Sequence, residues 1–126
     1  MPLRVELKPL ERIVIGESVI INSAARASFL IDGEVPILRE KDTVTEEPAN
    51  TPARRLYYCV QMLYLKSDAA RYREPYARHL AELRAAMPEA RELIDAANQH
   101  VAAGAHYRAL KEIRKLMKRE EEFAAA

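Results

Sequence analysis

The sequence has few of the residues on which several classes of function depend. Its 126 residues include one cysteine, Cys59, three glycines and no tryptophan. One cysteine cannot form an intramolecular disulfide or a thiolate metal cluster, and three glycines leave no glycine-rich loop for binding phosphate. No apolar run approaches the roughly 20 residues that span a bilayer, and MPLRVELKPL has no signal-peptide pattern. We therefore expect a cytoplasmic chain without a cofactor and without membrane contact.

Groups that could carry out a reaction are also scarce. His79, His100 and His106 all fall in helical territory, and none has a second imidazole four residues away with which to share a metal. Cys59 lies on or beside the apolar face of a predicted helix, where an inert core thiol is expected. No nuclease centre is visible in this pattern. The sequence therefore predicts a protein that is not an enzyme.

Charge is nearly balanced overall but unevenly distributed. The 20 basic and 19 acidic residues give a net charge of +1, which by itself predicts no polyanionic partner. Residues 1–50 contain six Lys or Arg and nine Asp or Glu, whereas residues 51–126 contain fourteen and ten. The chain is therefore acidic in its first part and basic in its second.

The first part of the chain has the alternation of β-strands. Leu3, Val5 and Leu7 alternate with charged residues, and RIVI and SVIIN are rich in β-branched side chains. Two further candidate strands, ASFLI and EVPIL, follow. Asp32-Gly33 suits a tight hairpin between the last two of these segments. Pro36 removes one backbone donor, so the last strand is predicted at a sheet edge. We expect five short strands in a small antiparallel sheet or barrel.

The second part has a helical period. Thr51 is a suitable N-cap, Pro52 suits the first helical position, and the first helix should end near Lys66. Pro75 should start or kink a second helix, and Pro88 should start a third. Gly104 should end the third helix before a basic fourth helix. The predicted fold class is α+β, with a small antiparallel β-rich module followed by about four helices. The predicted domains, 1–45 and 46–126, are expected to form one integrated unit.

The junction EEPANTPARRLYYCV places two cations at a helix start. Arg54 and Arg55 would cost a few tenths of a kcal/mol each there, because the helix dipole disfavours positive charge at its N-terminus. One interpretation is that these arginines form ion pairs with the preceding acidic residues, in a salt-bridged seam that joins the sheet to the helices. The other is an external anion, since arginine forks suit phosphates and tyrosine rings stack on unpaired bases. The acidic residues proposed for the seam are Glu40, Asp42, Glu46 and Glu47.

Three stretches resemble one known family. They are MPLRVELKPLERIVIGESVIIN, LREKDTVTEEPANTPARRLYYCVQMLYL and the basic HYRALKEIRKLMKRE. The likeness is to FlbT, the flagellum biosynthesis repressor family of alphaproteobacteria, and it covers nearly the whole chain. It implies a post-transcriptional regulator of flagellin synthesis that associates with the 5′ untranslated region of flagellin mRNA and promotes its degradation. It also suggests FlaF, a small helical protein, as a functional counterpart in the same pathway, and in some relatives the effect is activation.

Seven residues are candidates for contact with the RNA leader. Arginine and lysine would hold phosphates, and tyrosine would stack on single-stranded bases. The candidates are Arg26, Arg39, Lys41, Arg54, Arg55, Tyr57 and Tyr58. A shorter likeness of IGESVIIN and GEVPILREKD to carbon storage regulator proteins also points to Arg39, paired across the sheet with Leu3 and Arg4.

Two other hypotheses stay open. An adaptor without RNA contact would hold flagellin, FlaF or a ribonuclease through its amphipathic helices, and it would leave Leu110, Ile113 and Met117 partly exposed. A homodimer could form through edge strands, one of which Pro36 marks.

Overall fold

The described chain, residues 2–45, 50–66 and 69–125 of a computed structural model, confirms the predicted α+β class. It divides into two compact units, Met1–Thr43 and Val44–Ala126, here called the β unit and the helical unit. The predicted single integrated unit with a boundary at residue 45 stays a prediction. The strands are β1 (Leu3–Leu7), β2 (Arg12–Ile15), β3 (Ser18–Ile21), β4 (Ala27–Ile31) and β5 (Ile37–Arg39). The helices are α1 (Pro52–Lys66), α2 (Ala69–Ala86), α3 (Arg91–Ala102) and α4 (His106–Ala125).

The β unit contains two antiparallel sheets. One pairs β1 with β4, and the other has the strand order β3-β2-β5. The alternation in β1 is realised at Val5 and Leu7, which are buried while Arg4 and Glu6 are exposed, but Leu3, predicted on the same apolar face, is 51% exposed. The inward side chains form one apolar cluster. Its members are Val5, Leu7, Ile13, Ile15, Phe29, Ile31 and Ile37.

The hairpin predicted at Asp32-Gly33 is wrong. β4 pairs with β1 and β5 pairs with β2, so the two strands that flank this dipeptide belong to different sheets. The two-residue hairpin turn is instead at Gly16-Glu17, between β2 and β3. Gly16 has a φ of 61°, which suits the first central position of a type II′ turn. β5 lies at a sheet edge, as Pro36 predicted.

The helical unit is built around α1. This helix packs against α2 and α4, and α4 also packs against α3. Leu110 and Ile113 are fully buried and Met117 is half-buried, so the exposed groove expected of a helix-based adaptor is absent from the described part of α4. The fully buried side chains of this unit include Leu56, Val60, Leu83, Ile94, Leu110, Ile113 and Leu116.

Helix boundaries follow local signals closely. α1 begins at Pro52 and ends at Lys66 as predicted. Pro75 lies inside α2, and because it has no N–H it donates no helical hydrogen bond to the Arg71 carbonyl. Pro88–Ala90 forms a single 3₁₀ turn before α3. α4 follows Gly104 and continues to Ala125, through the acidic residues Glu120–Glu122. Ser67-Asp68, whose residue types suit a second helix cap, lies outside the described residues.

Candidate functional site

A basic cleft in the β unit collects three of the seven candidates. This β cleft has a volume of about 520 Å³ and brings Arg26, Arg39 and Lys41 together with Lys8. Glu6 and Glu11 also line it, so four cations face two carboxylates. Arg26 and Lys41 are exposed, whereas Arg39 is half-buried. The cleft can therefore present positive charge to an anion while part of its lining is internally paired.

Arg39 is the anchored member of the β cleft. Its Nη1 donates to the Glu6 carbonyl oxygen at 3.2 Å and to Glu11 Oε2 at 3.4 Å. The hydrogen bond from the Lys8 backbone N–H, followed by the nearby Arg39 charge, lowers the pKa of Glu11. Arg39 pairs across the sheet with Ile13. The pairing with Leu3 and Arg4 suggested by the shorter likeness is wrong, because those residues are in the other sheet.

One asparagine holds the loops that carry the other cations. Asn22 Nδ2 donates to the carbonyl oxygens of Lys8 at 2.7 Å and Ala25 at 2.9 Å. These bonds fix the segment after β1 beside the segment before β4, where Arg26 lies. Sequence reasoning missed both Lys8 and Asn22. The only local signal was the position of an asparagine directly after the third strand. Asparagine side chains often form hydrogen bonds with nearby backbone groups.

A second cleft lies between α1 and α2 and contains two further candidates. This helical cleft has a volume of about 320 Å³, with Arg55 and Tyr58 on the α1 side. Arg71, Arg78 and His79 lie on the α2 side, where spacings of seven and eight residues place them on one helix face. Sequence reasoning counted the two arginines only toward the general basic excess. Their spacing was the signal that could have grouped them.

Ion pairs in the helical cleft run along and between its two helices. Glu82 Oε2 lies 3.5 Å from Arg55 Nε and 3.3 Å from His79 Nδ1, and the hydrogen bond with His79 is the main cause of a lowered Glu82 pKa. Arg78 pairs with Glu74 at 3.5 Å. Burial raises the pKa of the Cys59 thiol to about 11, so this group is neutral at physiological pH.

The remaining candidates are less accessible. Tyr57 is 1% exposed, and its hydroxyl accepts a hydrogen bond from Arg114 Nε at 3.1 Å. The Tyr57 ring is therefore too buried to stack on a base. Tyr58 is the half-buried tyrosine of the pair. Arg54 is half-buried, and its backbone N–H donates to Thr51 Oγ1 at 3.2 Å.

One acidic group and one arginine proposed for the seam have partners within their own units. Glu40 pairs with Arg12 at 3.9 Å within the β unit, and Arg55 pairs with Glu82 within the helical unit. Glu46 and Glu47 lie outside the described residues, so their part of the seam stays a prediction. A carboxylate from α4 also contacts the N-terminus of α1. Glu120 accepts from Thr51 Oγ1 at 2.7 Å and from the Ala53 N–H at 3.0 Å.

Comparison with known proteins decides the family. The family described as "Flagellar protein FlbT" matches residues 3–124. The chain belongs to the FlbT family. A "Probable flagellum biosynthesis repressor protein FlbT" of Rhodopseudomonas palustris is 58% identical over 122 residues, which cover 97% of each chain. No solved structure matches at a significant level.

More distant FlbT relatives carry the same name. The Bradyrhizobium diazoefficiens "Probable flagellum biosynthesis repressor protein FlbT 1" is 48% identical over 96% of this chain and 84% of the relative. The Caulobacter vibrioides "Flagellum biosynthesis repressor protein FlbT" is 35% identical over 97% and 89%. These names support a regulatory role in flagellar synthesis, and none of them is the name of an enzyme.

Two further properties of this FlbT-family chain concern membranes and metals. No helix among the described residues is long and apolar enough to cross a bilayer. Within the same residues, no group of three or more His, Cys, Asp or Glu side chains is arranged to hold a metal ion.

Proposed function

We propose that this FlbT-family chain regulates flagellin synthesis after transcription, in the cytoplasm, by binding the 5′ untranslated region of flagellin mRNA and promoting degradation of that message. The chain itself supplies binding, and a recruited ribonuclease breaks the RNA. The observation that carries the proposal is the β cleft, where Lys8, Arg26, Arg39 and Lys41 face two carboxylates.

The geometry of the β cleft suits a phosphate backbone. Arg26 and Lys41 are exposed, so they can meet phosphates without first leaving a buried ion pair. Arg39 is held in the lining of the cleft by hydrogen bonds to the Glu6 carbonyl oxygen and to Glu11 Oε2. Few cations take part, so binding should be modest and should weaken steeply with salt.

The test measures fluorescence anisotropy of labelled flagellin leader RNA over a range of salt concentrations. We expect Arg26→Ala/Lys41→Ala to weaken binding about tenfold and to make the slope of log K against log salt shallower by about 1.4, since each lost single-strand contact removes about 0.7. Arg73→Ala/Arg91→Ala removes the same charge from exposed residues outside both clefts and should change binding less than twofold. Equal weakening by both pairs would show that only overall charge matters and would refute the site.

One observation favours the adaptor as a second candidate. β3 is an edge strand, and its Val19, Ile20 and Ile21 are 55%, 41% and 58% exposed. An exposed apolar edge can add an extended segment of another chain as a further strand. Co-elution with flagellin, FlaF or a ribonuclease that survives nuclease treatment would support this candidate. Co-elution that nuclease abolishes would support binding through RNA.

A further inference from the structure

Three arginines line the helical cleft. Arg55 comes from the first turns of α1, and Arg71 and Arg78 lie seven residues apart on α2. Seven residues are close to two helical turns, so both α2 arginines lie on the face that borders the cleft. Guanidinium groups present planar forks of N–H donors whose geometry matches the oxygens of a phosphate.

Two of these arginines, Arg55 and Arg78, are held only weakly by the carboxylates that pair with them. The pairs of Arg55 with Glu82 and of Arg78 with Glu74 are both 3.5 Å long. The side chains of these pairs are between 35% and 74% exposed, and exposed pairs of this kind contribute little stability. A dianionic phosphate could therefore replace these pairs at small cost.

The cleft also offers surfaces for a planar ring. Tyr58 lines it from α1 and is half-buried, which fixes its ring while leaving part of it accessible. The guanidinium carbon of Arg71 lies 5.5 Å from the centroid of the buried Tyr72 ring, an arrangement that orients Arg71. Nucleic-acid bases stack on tyrosine rings and on guanidinium planes. The volume of about 320 Å³ is at the low end for small-molecule sites.

We propose that the helical cleft binds a nucleoside phosphate, with the phosphate on Arg55, Arg71 and Arg78 and the base against Tyr58. The ligand is either a free mononucleotide or one nucleotide of a single-stranded RNA, which share this chemistry. The site lies in the helical unit and does not depend on RNA binding by the β cleft.

The test is a calorimetric titration of the full chain with uridine 5′-monophosphate and, separately, with hexauridylate. We expect saturable binding that Arg71→Ala/Arg78→Ala weakens at least tenfold, whereas Arg73→Ala/Arg91→Ala changes it less than twofold. Tyr58→Phe keeps the ring and should bind within twofold of the original chain, while Tyr58→Ala should bind at least fivefold more weakly. Urea unfolding of each variant establishes that it is folded.

Comparing the two nucleotide ligands shows whether the cleft binds a free nucleotide or one nucleotide of an RNA strand. Tighter binding of hexauridylate than of the monophosphate supports a site for an RNA strand, and equal binding supports a site for a free nucleotide. Inorganic phosphate that binds as tightly as the monophosphate would overturn the contact with the base. The absence of saturable binding for both nucleotides, or binding that Arg71→Ala/Arg78→Ala leaves unchanged, would overturn the site itself.

The β cleft variant separates this inference from the proposed function. Arg26→Ala/Lys41→Ala should leave binding of the monophosphate unchanged even where it weakens leader binding. Hexauridylate binding that is lost in Arg26→Ala/Lys41→Ala but retained in Arg71→Ala/Arg78→Ala would refute the helical site and leave the proposed function standing.

Discussion

Glu120 compensates for the unfavourable positive charge at the N-terminus of α1. The first turn of α1 contains no acidic residue but does contain Arg54 and Arg55. Glu120 supplies the missing negative charge from α4, accepting from the Thr51 hydroxyl and the Ala53 backbone N–H. A carboxylate at this position satisfies backbone donors and favours the helix dipole together. It also ties the start of α1 to the last turns of α4.

We therefore expect Glu120→Ala to lower the free energy of unfolding by about 2–3 kcal/mol, since two hydrogen bonds to a charged acceptor are lost. Glu120→Gln retains an acceptor oxygen and should cost less. Glu121→Ala, a change at the exposed neighbour, should stay within about 0.5 kcal/mol. Urea denaturation measures all three, and equal effects of the two alanine variants would contradict the capping role.

At the scale of elements, the connection between α3 and α4 is set by one glycine. Gly104 has a φ of 77°, its N–H donates to the Val101 carbonyl at 3.0 Å, and the Ala105 N–H donates to the His100 carbonyl at 2.8 Å. This pair of bonds is the Schellman motif, which satisfies carbonyls at a helix end. α4 begins two residues later, at His106, so this short turn sets where α4 starts relative to α3.

Gly104→Ala should lower the free energy of unfolding by about 1–2 kcal/mol, because a side chain disfavours the left-handed conformation. An added Cβ would have nothing within 4 Å, so a steric clash contributes nothing to this cost. Gly104→Asn should be milder, since asparagine tolerates this conformation better. Thermal unfolding compares the variants. An alanine variant as stable as the original chain would show that the turn relaxes without strain.

At the scale of the whole molecule, burial couples stability to pH. Cys59 is 3% exposed, and its pKa is raised from 9.0 to about 11 because burial disfavours the thiolate. The folded state therefore keeps a proton that the unfolded state loses above about pH 9. Stability from this group is complete below pH 9 and declines as pH rises toward 11. Two pKa units correspond to about 2–3 kcal/mol.

In Cys59→Ala, the free energy of unfolding should consequently fall less steeply as the pH rises from 9 to 11. The variant loses some packing at every pH, but the difference in unfolding free energy between it and the original chain should shrink by about 2–3 kcal/mol from pH 8.5 to 11. Urea denaturation at a series of pH values measures this difference. A difference that stays constant with pH would mean that the Cys59 thiol is not protected from ionisation.

The success of sequence reasoning differed between local and long-range features. Pro52, Lys66 and Gly104 marked helix boundaries correctly, because caps and turns depend on neighbours a few residues away. The partner of β4 could not be predicted in the same way. Asp32-Gly33 is compatible with a hairpin, but Phe29 and Ile31 pack with Val5 and Leu7 of a strand more than 20 residues away. That choice depends on which strands share an apolar core.

The sequence by itself determined the α+β class, the strand and helix segments and the family, since all of these depend on periodicity and on residue order along the chain. Only the tertiary structure decided which charged and aromatic residues meet. It buried Tyr57 against Arg114, brought Glu120 to Thr51 and set Lys8 beside Arg26. These partners are between 18 and 69 residues apart. These contacts form because whole helices and strands pack together, and a local sequence pattern does not indicate which elements pack.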